Sequence, residues 1–383
     1  MLQFTEEQQM IRKMVRNFAQ NEIAPIAIEV DETERFPIEN FKKMAELNLL
    51  GLPISETYGG AGLDAVSYMI ALEEMAGACA STALSYSAHI SLASVPIEQF
   101  GTEEQKRKYL VPLARGEKIG SFGLTEPSAG SDAGGTKTTA VKDGDSYIIN
   151  GSKIYITNAE YADIFVVTAV TEKSRGTRGI SSFIIERGMP GFEVGKKEKK
   201  LGMRASPTCM LHFSDCRVPA ENLLGTINEG YKQFLITLDG GRVGIAAQAV
   251  GIAKAAFSRS IKYAQEREQF GQKIGKFQAI QFMLSNMATN IEAAELMVYH
   301  AAQLKQEGKP YKKEAAMAKL FASEMAMDVT KDAIQIHGGY GYMKEYEVER
   351  YWRDAKLLEI GEGTSEVQRL VIYRELLNNI DRL

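Results

Sequence analysis

The apolar positions of this chain change their period twice. In the first third they follow a helical rhythm. Thr5 and Gln8 have capping-box spacing, and Ile11, Met14, Val15 and Phe18 then recur at i, i+3, i+4 and i+7. Pro37 opens a second helical run through Phe41, Met44, Ala45 and Leu47, closed by the turn Tyr58-Gly59-Gly60. Further helical runs cover 66–78 and 85–100, the last stopping at Gly101. Near Gly120 the period shortens. Residues 147–156 read as a hairpin about an Asn150-Gly151 turn, and 164–167, 182–185 and 210–213 are short β-rich runs, the last closing the β region. From Glu229 the long period returns over 231–266, 278–306 and 312–336, with a last helix at 366–378. Three such lengths with short connections predict antiparallel packing in a bundle. The expected architecture is mainly α with a middle β domain. Its parts are a helical domain over 1–118, a β domain over 119–225 and a helical bundle over 226–383.

Composition narrows the class. Hydrophobic residues make up 45% of the 383 positions and charged residues 25%, as in an ordinary globular protein. A formal net charge of -4 provides no attraction for nucleic acid or an anionic membrane. Cys79, Cys209 and Cys216 lack CxxC spacing, and the four histidines lack HExxH spacing, so neither a disulfide framework nor a metal site is expected. The start of the chain is acidic and has no export-signal pattern. The longest apolar region, 244–257, is interrupted by Gln248 and Lys254 and is too short to span a bilayer. The expectation is a cytoplasmic enzyme, or a mitochondrial-matrix one if the chain is a processed form.

Four segments rich in Gly, Ser, Thr and charge sit at element boundaries. In 122–132, Phe-Gly-Leu-Thr-Glu-Pro-Ser-Ala-Gly-Ser-Asp, small residues allow backbone N–H groups to approach a ligand, although the same residues also suit a Pro-Gly turn. Arg267-Glu268-Gln269-Phe270-Gly271 offers a forked cation for a diphosphate, or a solvated helix-terminal charge. Gln335-Ile336-His337-Gly338-Gly339-Tyr340-Gly341 holds more glycine than a helix C-cap requires. In Glu359-Ile360-Gly361-Glu362-Gly363-Thr364-Ser365-Glu366, Thr364 or Ser365 can cap the next helix and Glu366 suits its first turn. Glu362 has no such structural task. Its glycine neighbours would expose its carboxylate to a ligand whose binding desolvates it and raises its pKa, as a general base needs.

Taken together, TEPSAGSD, REQFG, QIHGGYGY and EGTSE resemble the acyl-CoA dehydrogenase family in order and rough spacing, over essentially the whole chain. The resemblance implies an N-terminal helical domain, a β-barrel-like middle domain and a C-terminal four-helix bundle, with FAD as cofactor. It puts Phe122, Leu124 and Thr125 on the flavin ring, with Thr125 donating to it, and Tyr155, Ile156 and Thr157 along the other edge. Many members carry Trp at the position of Tyr155. Arg267, Phe270 and Gln278, with Gln335, Gly338 and Gly339 of a neighbouring subunit, would hold the diphosphate and adenine side, and Thr364 and Glu366 would complete the site. Glu362 would remove the α-proton of an acyl thioester while the β-hydrogen leaves as hydride to flavin N5. Ser131, Asp239 and Arg242 would contact the CoA part, and Gly363 would lie beside the acyl chain. Some members place the base next to the residue matching Arg242; here that position is Gly241. The Asp239-Gly240-Gly241-Arg242 segment looks most like short-chain members. The resemblance thus implies a butyryl-CoA-like substrate, an electron-transfer flavoprotein as acceptor and a homotetramer. A short branched acyl-CoA is the runner-up substrate, and an acyl-CoA oxidase or a non-catalytic relative are the rivals.

Overall fold

A computed structural model of the chain describes residues 3–378. The first unit comprises α1 (Glu6–Phe18), α2 (Ala27–Thr33), α3 (Ile38–Glu46), α4 (Ala65–Ala78), α5 (Ala80–Ser87), α6 (Val95–Phe100) and two short helices, α7 (Glu103–Gln105) and α8 (Val111–Ala114). The Thr5–Gln8 capping box forms at the start of α1, and Pro37 occupies the N-cap of α3. Between α5 and α6 the chain widens into a π-helical segment, Ala88–Ser94.

The middle unit carries β1 (Gly120–Gly123), β2 (Thr139–Asp143), β3 (Ser146–Thr157), β4 (Ile164–Val170), β5 (Ile180–Glu186), β6 (Phe192–Lys197), β7 (Thr208–Pro219) and β8 (Leu223–Leu224). They form one sheet in the order β6-β7-β3-β2-β4-β5-β8, with β1 parallel to β4. Phe165 and Phe183 are fully buried on it. Each such side chain contributes about 1.5–3 kcal/mol of hydrophobic stabilisation.

The structure corrects the expected hairpin at Asn150-Gly151. Residues 146–157 are one continuous strand, and the turn lies earlier, where β2 and β3 pair from Asp143↔Ser146 around Gly144 at φ 61°. Gly151 is needed for another reason. A Cβ there would stand 2.5 Å from the Thr138 hydroxyl oxygen, and the β3–β7 register shifts beside it. The dipeptide marks an irregularity of a long strand, which local sequence cannot distinguish from a reversal.

The last unit consists of α9 (Gly230–Glu266), the ribbon β9 (Glu268–Gln269) and β10 (Gln272–Lys273), then α10 (Gln278–Gln306), α11 (Lys312–His337), α12 (Val348–Ile360) and α13 (Ser365–Asn378). The helix α12 went unread in the sequence: Arg350 and Asp354 are buried on its inner face, which blurs the apolar period. The centre of the molecule is α9, which packs along α4, α10 and α11. All three cysteines are free and buried, and among the described residues no helix is long and apolar enough to cross a membrane.

Candidate active site

Glu362 lies in the link between α12 and α13, with backbone φ of 54° at Glu362 and 95° at Gly363. A non-glycine residue in that region costs roughly 1–2 kcal/mol, so the surroundings must hold it. They do so through the Gly363 carbonyl, which accepts from Lys319 Nζ and from Gln368 Nε2, each at 2.8 Å. Thr364 Oγ1 accepts the Val367 N–H at 3.3 Å and caps α13, while Glu366 stands exposed in its first turn.

The carboxylate rests on α9. A Cβ added at Gly241 would stand 1.8 Å from Glu362 Oε2, so only glycine leaves room for it. Oε2 is shut off from solvent and has no hydrogen-bond partner. Burial pushes the Glu362 pKa up to about 7, against the pull of Lys319 and Arg242. The expected source of desolvation was a ligand; the protein's own packing supplies it. Lys319, on α11 and fully buried, is pushed down to about 8 by burial, with the Glu362 charge opposing.

Arg242 is buried one residue beyond Gly241 and pairs through Nη1 with Asp239, whose own pKa burial raises. Arg242 thus acts on the Glu362 charge, Asp239 reaches it through Arg242, and Gly363 follows Glu362 in the chain. Ser131 is exposed on the loop after β1, which meets the beginning of α9: a Cβ on Gly134 would stand 3.6 Å from the Tyr231 ring.

The middle unit meets this cluster through Ala88–Ser94. His89 Nδ1 accepts the Gly120 N–H at 3.0 Å, which fixes the start of β1, and the Ser87 hydroxyl lies 3.4 Å from the place of a Cβ on Gly244 of α9. Phe122, Leu124 and Thr125 leave β1 half-buried, and the Thr125 carbonyl accepts the Ile154 N–H at 2.8 Å, joining them to β3. A bulge between Lys153 and Ile156 re-aims Tyr155, which sits at φ 60° and 65% exposed. Ile156 turns into the core, its carbonyl accepting the Ala159 N–H at 3.4 Å, and the Thr157 carbonyl accepts from Ser121 Oγ at 2.6 Å. A strained, outward aromatic beside an open strand end suits a flat ring system.

The remaining predicted residues lie at the other end of α9. A cavity of about 590 Å³ is lined by Tyr263, Arg267, Gln269, Gly338, Gly339 and Tyr340. A Cβ at Gly338 or Gly339 would meet nothing within 4 Å, and the Arg267 guanidinium lies 5.5 Å from the centre of the Tyr340 ring. Phe270 tips the β9–β10 ribbon at φ 52° and 93% exposed, and Gln278 and Gln335 are exposed at the start of α10 and near the end of α11. Arg242 and Glu266 are 24 residues apart on one helix, roughly 36 Å. An open cradle with a forked cation fits a diphosphate.

Several residues of the site were not singled out from sequence. Lys319 sits among buried Ala315, Ala316, Ala318 and Ala322, and a lysine on that small-residue face was the available signal. Glu126 lay inside a recognised segment without a role. Lys153, its buried partner, carried no local mark.

Models of the N-terminal, middle and C-terminal domains of acyl-CoA dehydrogenase match residues 5–117, 121–216 and 228–377. The chain belongs to the acyl-CoA dehydrogenase family. It is therefore an FAD-dependent oxidoreductase with the three-part fold of that family. It is 57% identical to the short-chain specific acyl-CoA dehydrogenase of Clostridium acetobutylicum over 96% of this chain and 97% of that one. It superposes on the butyryl-CoA dehydrogenase of Megasphaera elsdenii with a TM-score of 0.97 at 49% identity, covering 98% of this chain and 100% of that one. A chain in a structure of the electron transferring flavoprotein of Acidaminococcus fermentans matches with a TM-score of 0.97 at 55% identity, covering 98% and 99%.

Proposed function

We propose that this acyl-CoA dehydrogenase oxidises a short-chain acyl-CoA to the trans-2-enoyl-CoA, with Glu362 as the base. The observation that carries the reading is the carboxylate itself, its Oε2 shut off from solvent without a hydrogen-bond partner against Gly241 and its pKa raised to about 7. A base with a pKa close to the working pH combines availability with proton-transfer drive. FAD supplies the hydride acceptor at its N5. Glu362 takes the proton from the α-carbon, and the backbone N–H of Glu362 donates to the thioester oxygen as charge develops there. Asp239, Arg242 and Ser131 hold the CoA part, and Gly363 flanks the acyl chain.

A short chain is supported by the likeness to the short-chain specific and butyryl-CoA dehydrogenases, and close packing along α9 fits it. One turn beyond Gly241, a Cβ at Gly244 would already stand 3.2 Å from Leu72 and 3.4 Å from Ser87. Leu72 and Ser87 therefore pack directly on α9 near Gly241. The span of roughly 36 Å along α9 between Arg242 and Glu266 supports binding of the two halves of the dinucleotide by different chains. FAD is accordingly shared between subunits, which requires at least a dimer, and the family resemblance makes this a homotetramer. Phe122, Leu124, Thr125, Tyr155, Ile156 and Thr157 take the ring, with Thr364 and Glu366 completing that end. Arg267, Phe270, Gln278, Gln335, Gly338 and Gly339 take the diphosphate and adenine. Electrons pass to an electron-transfer flavoprotein, and a cytoplasmic location fits this role.

The test is anaerobic. Butyryl-CoA should bleach the yellow protein faster than octanoyl-CoA does. Glu362→Gln should retain FAD and bind acyl-CoA, yet lose the bleaching rate by about 10²–10⁴-fold. Normal bleaching in that variant would move the base elsewhere, and faster bleaching by the long chain would refute the short-chain reading.

A further inference from the structure

The middle unit contains an ion pair that the proposed chemistry leaves unused. Lys153, on β3, is fully buried, and Glu126, two residues beyond Leu124, is 5% exposed. Lys153 Nζ lies 2.8 Å from Glu126 Oε1, 3.1 Å from the Leu124 carbonyl, 3.1 Å from Thr136 Oγ1 and 3.3 Å from Thr168 Oγ1. Glu126 also accepts the Thr136 hydroxyl, the Thr138 N–H at 3.0 Å and the Lys137 N–H at 2.7 Å. A buried pair of this kind is a poor stability device, because desolvation consumes most of the Coulomb gain and an apolar pair of the same volume would do as well. Its geometry has another consequence.

The ammonium grips the carbonyl of the Leu124–Thr125 peptide from inside the sheet. Among the described residues, the N–H of that same peptide, which belongs to Thr125, donates to no protein backbone or side-chain acceptor. An amide whose carbonyl is bound to a cation is polarised, so its N–H becomes a stronger donor. Two-electron reduction of a flavin gathers negative charge on the pyrimidine edge of its ring, and a strengthened donor stabilises that state.

We propose that the Glu126–Lys153 pair sets the reduction potential of the bound FAD, with Lys153 polarising the Leu124–Thr125 peptide behind the ring and Glu126 limiting the strength of that cation. The inference rests on the ring lying beside Leu124 and Thr125, as proposed above. In it, Lys153 and Glu126 are positioning residues that act through the peptide they hold.

The experiment measures the potential of the substrate-free, FAD-loaded enzyme by spectroelectrochemistry. Glu126→Gln leaves the cation uncompensated, and the reduced-to-oxidised ratio at a fixed potential should rise about tenfold, a shift of about 30 mV upward for a two-electron couple. Lys153→Met leaves the anion and should shift the potential downward. A purely structural role predicts weaker FAD retention and lower melting temperature in both variants without opposite shifts, and that outcome overturns the proposal. If Lys153→Met does not fold, an unchanged or lowered potential in Glu126→Gln alone overturns it. Thr125→Ala checks the placement of the ring. A ring beside residue 125 responds with a moved flavin absorption band or weaker FAD retention, and then a silent Glu126→Gln refutes only the tuning. No response at Thr125 refutes the placement itself.

Discussion

Lys153 with Glu126 in the sheet, and Lys319 with Glu362 at the bundle, bring together the same two side-chain types, yet their glutamates end with opposite proton affinities. Both lysines are fully buried and pushed down to about 8 by that burial. Burial also pushes on both glutamates. At Glu126 it is outweighed by the Lys153 charge and by hydrogen bonds from Lys153, Thr136 and Lys137, which bring the pKa down to about 2. At Glu362 burial prevails, because Lys319 donates to the Gly363 carbonyl instead and no donor reaches Oε2, leaving the pKa at about 7. A nearby cation does not by itself decide the state of a buried carboxylate; the number of donors aimed at its oxygens does. The well-bonded glutamate stays ionised far below neutral pH, and the poorly bonded one exchanges its proton near neutrality.

Three further experiments would break or sharpen this contrast. The largest effect is expected from Gly241→Ala, whose new methyl would occupy the place of Glu362 Oε2. Displacing the base by about 1 Å costs on the order of 10²-fold in rate. Stopped-flow flavin reduction should fall by at least that much with FAD content unchanged, and near-normal reduction would mean that the carboxylate works from elsewhere. A smaller effect is expected from Lys319→Met. Glu362 accepts a proton only when ionised, so kcat/KM should rise with pH through about 7 in the native enzyme. Removal of the Lys319 charge takes away one of the two groups holding that pKa down, so the midpoint should move to higher pH. A midpoint that stays or falls would count against the electrostatic role of Lys319.

The smallest effect concerns acid stability. The folded-state pKa of Glu126 lies below its ordinary value, so its contribution is complete above about 4.5 and is lost as pH falls toward about 2. The melting temperature of the native protein should drop by a few degrees as pH falls from 5 to 3. In Glu126→Gln the drop should be shallower, from a lower starting point at neutral pH. Equal slopes would show that other carboxylates govern this limb.

Sequence reading followed the course of the helices because their signals are local. The extent of α10 follows from periodicity, and the capping box of α1 from the spacing of Thr5 and Gln8. The irregularity at Asn150-Gly151 and the helix α12 are not legible locally, since a bulge in a paired strand and buried charges on a helix are set by partners distant in the chain. Glu362 was legible as a carboxylate without a structural task, flanked by glycines. Its proton affinity was not, because Gly241, Lys319 and Arg242 come from two helices that meet the loop only in the folded chain.

The sequence by itself therefore determined the order of the three units, the segments that carry the chemistry and the family they belong to, all of which are encoded in short-range patterns of residue type. Tertiary structure alone decided which of two glutamates has its proton affinity lowered and which raised, and that Glu362 and the cavity beside Arg267 lie far apart along α9. Those outcomes depend on distances between elements far apart in the chain, where the dielectric surroundings and the hydrogen-bond donors are supplied by packing.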